Sequence, residues 1–144
     1  MKKKYNILLV GFGYWGPILA RNFQSNLIFK IHAICDTNKN NIKKAKNIYP
    51  NSFFFNDYRK AIRNSNVDIV IISTPTNTHY KIAKFSLENM KHVMCEKPLC
   101  LKLDEVKKLV SISKKNKKFL FVDYPFIYSE SENYIKKIIK KKTL

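Results

Sequence analysis

Three glycines, Gly11, Gly13 and Gly16, stand at G-x-G-x-x-G spacing directly behind the apolar run Ile7-Leu8-Leu9-Val10. Their chemistry is to bring backbone N–H groups close to an anion. The first permits a tight turn, the second lets the chain approach a pyrophosphate, and the third lets helix and strand pack closely. The phosphate charge then meets free N–H groups at a helix N-terminus. Alone the motif is weak; a strand before it and a helix after it give it meaning. Asp36, 25 residues past Gly11, closes a second apolar run. A carboxylate there can accept hydrogen bonds from both hydroxyls of an adenosine ribose, the alternative being a solvated turn residue at a strand end. It repels a ribose 2′-phosphate, which favours NAD over NADP unless the Lys39 side chain folds back to compensate.

Two further segments carry polar groups at the ends of apolar runs. Ser73-Thr74-Pro75-Thr76 leaves the run 67–72, at the edge where open α/β sheets bind ligands. His79 follows in the first helical turn, either contacting cofactor or substrate or lying on the surface. After the next run comes Glu96-Lys97-Pro98. A lysine at a strand's carboxyl end, fixed by a proline that can be cis, can hydrogen-bond a substrate hydroxyl or polarise it as hydride leaves. The competing reading is a Glu96–Lys97 surface pair before a turn.

Other chemistries find no support. There is no G-x-x-x-x-G-K-[ST] loop and no G-x-S-x-G elbow. His32, His79 and His92 fall on separate elements, so they form no zinc site. Three cysteines without a CxxC pair exclude a disulfide framework, and Cys35 and Cys95 lie in apolar runs as inert core thiols. The net charge of +18 points toward polyanions, yet only Arg21, Arg59 and Arg63 among 28 basic residues are arginine. The lysines interleave with apolar helix positions as on a solvated face, and the tail Lys136-Lys137 and Lys140-Lys141-Lys142 is the best site for a polyanion. No specific nucleic acid and no membrane is expected. No run is long enough to span a bilayer, and the basic start Lys2-Lys3-Lys4 leads into a strand-length run, which together predict a cytoplasmic protein.

The elements that must position these groups alternate regularly. Strands are expected at 5–10, 29–35, 52–55, 67–72, 91–95 and 119–122. Between them fall a helix after the glycine turn with Trp15, Ile18, Leu19 and Phe23 on its inner stripe, a lysine-rich helix at 39–48 and a short one at 57–63. Pro17 is compatible with a first helical turn. A helix after Pro75, capped by Thr76, turns Tyr80, Ala83 and Leu87 inward, and another is marked by Leu103, Val106, Leu109 and Val110. The pattern specifies an α/β, Rossmann-type doubly wound fold, a mostly parallel sheet with helices on both faces. Residues 1–125 form this domain, and 126–144 a terminal basic helix. Ile135, Ile138 and Ile139 give that helix an apolar stripe, which packs on the domain, meets a partner or membrane, or leads into more protein.

Taken together, these motifs resemble the N-terminal nucleotide-binding domain of the Gfo/Idh/MocA oxidoreductase family. The resemblance rests on Val10-Gly11-Phe12-Gly13-Tyr14-Trp15-Gly16-Pro17, Asp36, Ser73-Thr74-Pro75-Thr76-Asn77-Thr78-His79 and Cys95-Glu96-Lys97-Pro98-Leu99, in unbroken order over about 5–130. The Gly-Tyr-Trp-Gly-Pro wording is most similar to members acting on nucleotide-linked or amino sugars. It implies that Gly11, Gly13 and Gly16 hold the pyrophosphate, with Phe12 in the turn and Tyr14 and Trp15 beside it. Asp36 takes the adenosine ribose, and Thr74, Pro75 and Asn77 line the dinucleotide cleft. His79 sits near the nicotinamide half, while Glu96 and Lys97 face the nicotinamide ribose and the substrate. Lys97 is the implied catalytic residue, for substrate orientation and proton handling. Where many members carry Gly-His-x-Phe, this chain has Asp123-Tyr124-Pro125-Phe126. It ends at Leu144, where a full-length member enters a second domain that supplies most of the sugar pocket.

The resulting expectation is an NAD-binding part of an oxidoreductase acting on CH–OH groups of a sugar or nucleotide-linked sugar, inactive alone. Its partners are that substrate when a second domain is supplied, and a homo-oligomer or complementing domain. Two other readings stand beside it: a non-enzymatic Rossmann module that binds a dinucleotide and a protein partner, and a polyanion-binding protein driven by charge.

Overall fold

The computed structural model describes residues 4–63 and 66–140; Lys2, Lys3, Lys141, Lys142 and Leu144 lie outside them. The chain runs β1 (Tyr5–Val10), α1 (Gly16–Gln24), β2 (Phe29–Cys35), α2 (Lys39–Ile48), β3 (Phe53–Phe55) and α3 (Tyr58–Ile62). It continues through β4 (Ile69–Ile72), α4 (Thr76–Glu88), β5 (His92–Glu96), α5 (Leu103–Lys115) and β6 (Leu120–Asp123). A 3₁₀ turn at Pro125–Tyr128 then leads to α6 (Glu130–Lys140).

The strands form one sheet in the order β3-β2-β1-β4-β5-β6. Every pairing is parallel. The chain winds outward from β1 in one direction and from β4 in the other, so the carboxyl ends of β1 and β4 flank a crevice. Strand residues alternate between two cores. One holds Leu8, Val10, Cys35, Val70, Ile72 and Cys95 with Ile62 of α3, Ile82 and Leu87 of α4 and Leu109 of α5. The other holds Ile7, Leu9, Ile31, Ile34 and Ile71 with Leu19 of α1 and Ala45 of α2. Cys35 and Cys95 are both buried, and Cys100 is half-buried.

Five expectations are corrected. Trp15 precedes α1 rather than joining its inner stripe and is 52% exposed, because the helix begins at Gly16 and buries Gly16, Leu19 and Ala20. Thr76 is the first residue of α4, with Pro75 before it and no side-chain cap. Tyr80 is only half-buried, and the inner face of α4 carries His79, Ile82, Ala83, Ser86 and Leu87. On α5 only Leu109 is buried, while Leu103 and Val110 are exposed. The terminal helix does not pack on the domain either. It occupies Glu130–Lys140 and buries no residue, with Tyr134, Ile135 and Ile139 exposed.

Candidate functional site

The glycine turn is held by contacts that leave no room for side chains at two of its positions. Gly11 adopts φ +96°, and a Cβ there would lie 2.6 Å from the Ser73 carbonyl oxygen. A Cβ on Gly16 would collide with the Gly11 carbonyl oxygen, so α1 starts in direct backbone contact with the turn. The Ser73 hydroxyl donates to that same Gly11 oxygen at 2.8 Å, and the Gly11 N–H donates to Cys35 O at 2.8 Å. Gly13 differs: a Cβ there would meet nothing within 4 Å. Space above the turn is therefore open at its middle glycine. The N-terminus of α1 has no side-chain cap, which leaves its first amides for an anion. Phe12 is buried with its ring edge-on to Tyr49, whereas Tyr14 and Trp15 are exposed and stack edge-to-face on each other.

Asp36 lies beside this turn. Its Oδ2 accepts the Phe12 N–H at 2.7 Å and the Asn41 side-chain amide at 3.0 Å, and its Oδ1 accepts the Asn38 N–H at 2.7 Å. Asn38 in turn caps α2 by accepting the Asn40 N–H. The acid is thus oriented by the turn on one side and by the α2 N-terminus on the other. A cleft of about 570 Å³ opens between them, lined by Gly11, Gly13, Asp36, Thr74, Pro75 and Thr78 among others. Asn41, Asn56, Tyr58 and Lys81 line the same cleft, and sequence reasoning missed them. Asn41 carried a signal: it sits five residues after Asp36, within reach once α2 folds back over the strand end. Asn56 and Tyr58 carried none, because β3 brings them in from distant chain. Lys39, Lys43 and Lys46 line a separate groove beside Asp36, of about 490 Å³.

The loop after β4 supplies the opposite wall. Thr74 Oγ1 and Thr78 Oγ1 are 2.6 Å apart, and the Thr78 hydroxyl donates to Pro75 O. Thr78, not Asn77, lines the cleft; Asn77 is exposed, since one helical step turns it away. His79 is not the surface residue that one reading expected. It is 1% exposed, does not line the cleft beside Asp36, and has both ring nitrogens on carbonyls. Nδ1 lies 2.9 Å from Pro98 O and Nε2 lies 2.7 Å from Thr74 O.

Glu96 ends β5, opposite Asp123 of β6. The Lys97–Pro98 peptide is cis. The Glu96 carboxylate accepts the Lys97 N–H at 3.2 Å, and the Lys97 side chain is exposed. Ion pairs among the described residues are Lys84–Glu88 and Lys136–Glu132, so Glu96 and Lys97 do not pair through their charges. Among the described residues no group of histidines, cysteines and carboxylates could hold a metal ion. No helix among them is long and apolar enough to cross a membrane.

Residues 5–124 match the family model described as "Oxidoreductase family, NAD-binding Rossmann fold". Myo-inositol 2-dehydrogenase of Thermotoga maritima is 27% identical over 136 residues, covering 94% of this chain and 41% of that protein. Among solved structures, an NAD-binding protein from Listeria innocua superposes with a TM-score of 0.85 at 26% identity, covering 98% of this chain and 41% of its own. Scyllo-inositol dehydrogenase from Lactobacillus casei, solved with bound NAD(H) and scyllo-inositol, shares the fold with a TM-score of 0.86 at 22% identity, covering 98% of this chain and 42% of its own. The chain spans about two fifths of the length of these relatives. Its glycine turn, the Asp36 carboxylate beside it and the doubly wound sheet, together with that match over residues 5–124, show that the chain belongs to the Gfo/Idh/MocA oxidoreductase family and carries its NAD-binding Rossmann domain.

Proposed function

We propose that this chain is the cofactor-binding part of a dehydrogenase acting on a CH–OH group of a sugar, a nucleotide-linked sugar or a related polyol, and that it uses NAD rather than NADP. The observation that carries the reading is the Asp36–Phe12 hydrogen bond, which sets the ribose-side acid against the pyrophosphate turn across one cleft. The open space over Gly13 and the uncapped α1 N-terminus fit a pyrophosphate there. The names of relatives that act on inositols support a hydroxylated ring as substrate.

The bound dinucleotide supplies the hydride acceptor. The other roles fall to the chain: Asp36 receives the ribose hydroxyls, and Thr74 and Pro75 form the wall opposite it. Glu96 and Lys97 face the nicotinamide end. Lys97 hydrogen-bonds the reacting hydroxyl and handles its proton. Near-attack geometry needs a second wall that excludes water, and the Lys97 side chain is exposed. Residues 1–144 by themselves are therefore proposed to bind cofactor without turnover.

Calorimetric titration with NADH and NADPH tests the reading. NADH binding that is at least about 10-fold tighter than NADPH binding, and lost in Asp36→Ala, is expected. Folded protein that binds neither nucleotide at millimolar concentration sinks the proposal. NADH production from inositol or a sugar nucleotide by residues 1–144, abolished in Lys97→Ala, overturns the claim that they do not turn over.

A further inference from the structure

His79 joins the two loops on which the proposed chemistry depends. Its ring lies behind the cleft, 1% exposed, between the Thr74 carbonyl of the loop after β4 and the Pro98 carbonyl of the turn after β5. Its own backbone belongs to α4, whose Ile82, Ala83 and Leu87 are sealed in the core, so the ring is presented from a rigid support. Both partners are acceptors. Whichever ring nitrogen carries the proton, the imidazole donates to one of these carbonyls and is packed at contact distance from the other. The two carbonyls stand on opposite sides of the functional surface. Thr74 lines the dinucleotide cleft, and Pro98 directly follows Lys97. The next residue, Leu99, is buried in the same core as α4, which gives the turn a second anchor beyond Pro98.

We propose that His79 is a positioning residue: its ring ties the Thr74 loop to the Lys97-Pro98 turn and so fixes the nicotinamide-side turn relative to the dinucleotide cleft. It touches neither substrate nor cofactor. The Lys97 side chain has no ion pair or hydrogen bond of its own among the described residues, so its placement follows from the turn that carries it. This inference rests on the dinucleotide reading given above.

Two substitutions separate the arms of the tie. The side-chain amide of His79→Asn can reach toward Pro98 as Nδ1 does, and that of His79→Gln toward Thr74 as Nε2 does. Each variant is compared with wild type in binding NADH and ADP-ribose, the latter keeping adenosine and pyrophosphate but lacking nicotinamide. Backbone amide exchange at Glu96, Lys97 and Leu99 is followed alongside. The expected result is NADH affinity about 5- to 10-fold weaker in both variants, with ADP-ribose changed less than about 2-fold. Exchange at Lys97 and Leu99 should quicken more in His79→Gln than in His79→Asn. In wild type, which involves no folding risk, a ring N–H proton slow to exchange is expected in the His79 spectrum. Folded variants in which both ligands weaken in step, or in which neither changes, overturn the inference while leaving dinucleotide binding intact. Wild-type protein that binds neither ligand overturns the dinucleotide reading and takes the inference with it.

Discussion

The Asp36 carboxylate accepts the Phe12 N–H at 2.7 Å, which makes this acid and the glycine turn one hydrogen-bonded unit. The same carboxylate accepts from Asn38 and Asn41, so three donors depend on it. Asp36→Ala strands the Phe12 amide beside a buried ring as well as removing the proposed ribose contact. Its expected effect is a loss of about 1–3 kcal/mol in stability by urea denaturation, together with loss of NADH binding. Asp36→Asn keeps the acceptor oxygen and should recover most of the stability without recovering full affinity. A variant as stable as wild type that binds NADH normally would show that the acid is only a solvated strand end.

The three glycines should separate by function when each is changed to alanine. Gly11→Ala and Gly16→Ala drive a methyl group into backbone oxygen atoms, at φ +96° in the first case. Each is expected to destabilise by about 2–4 kcal/mol. Gly13→Ala meets open space and should stay within about 0.5 kcal/mol of wild type, yet weaken NADH at least about 10-fold by blocking the approach to the turn. Thermal melts and calorimetry on the same three proteins decide it, and equal stability losses at all three positions would contradict the geometry.

His92 accepts the Phe119 N–H through Nδ1 at 3.1 Å, which requires that nitrogen to be unprotonated. Burial holds its proton affinity below the ordinary histidine range, the neighbouring Lys118 acts in the same sense, and Asp68 opposes them. The unfolded ring therefore takes up a proton before the folded one as pH falls. Stability present above pH 6.5 should decline below it, as pH approaches the depressed folded value. Urea midpoints measured from pH 7.5 to 5 should fall more steeply for wild type than for His92→Gln. Parallel slopes for the two proteins would reject the link.

Burial pushes the Cys35 and Cys95 thiols up to about 12, with nearby acids adding to the effect at Cys35. The half-buried Cys100 is raised to about 11, again mainly by desolvation. Thiolates are thus formed in the unfolded chain well before the folded one, and stability conferred by the two core thiols is lost as pH rises from about 9 toward 12. Lysine deprotonation relieves charge repulsion over part of that window, so the comparison is between wild type and a Cys35→Ala, Cys95→Ala double variant. Wild type should lose stability faster above pH 9 by up to about 1.4 kcal/mol per pH unit per thiol. At pH 8 neither core thiol should react with an aromatic disulfide reagent until the protein is unfolded.

Local pattern carried the strands well, because β1, β2 and β4 are apolar runs wanted on both faces of a parallel sheet. It also carried the glycine turn, whose spacing is a steric requirement within one short segment. What stayed hidden depends on distant chain. The Thr78 hydroxyl lines the cleft because of the phase at which α4 leaves Pro75, and a single step of 100° separates it from the exposed Asn77. Asn56 and Tyr58 reach the site only through the pairing of β3 with β2. For His79, the two carbonyls lie 5 and 19 residues away, and nothing in the local sequence distinguishes a buried tie from a ligand-facing ring. The apolar stripe of Ile135, Ile138 and Ile139 similarly offered a packing face, among other readings, where the helix buries nothing.

The Gly11 carbonyl is held by the Ser73 hydroxyl and abutted by Gly16, and the Gly11 amide is bonded to Cys35. A glycine turn clamped in this way has already surrendered its conformational entropy during folding. Ligand association then has little loop ordering left to oppose it, so the affinity of the turn reflects contact and desolvation more than disorder lost on binding.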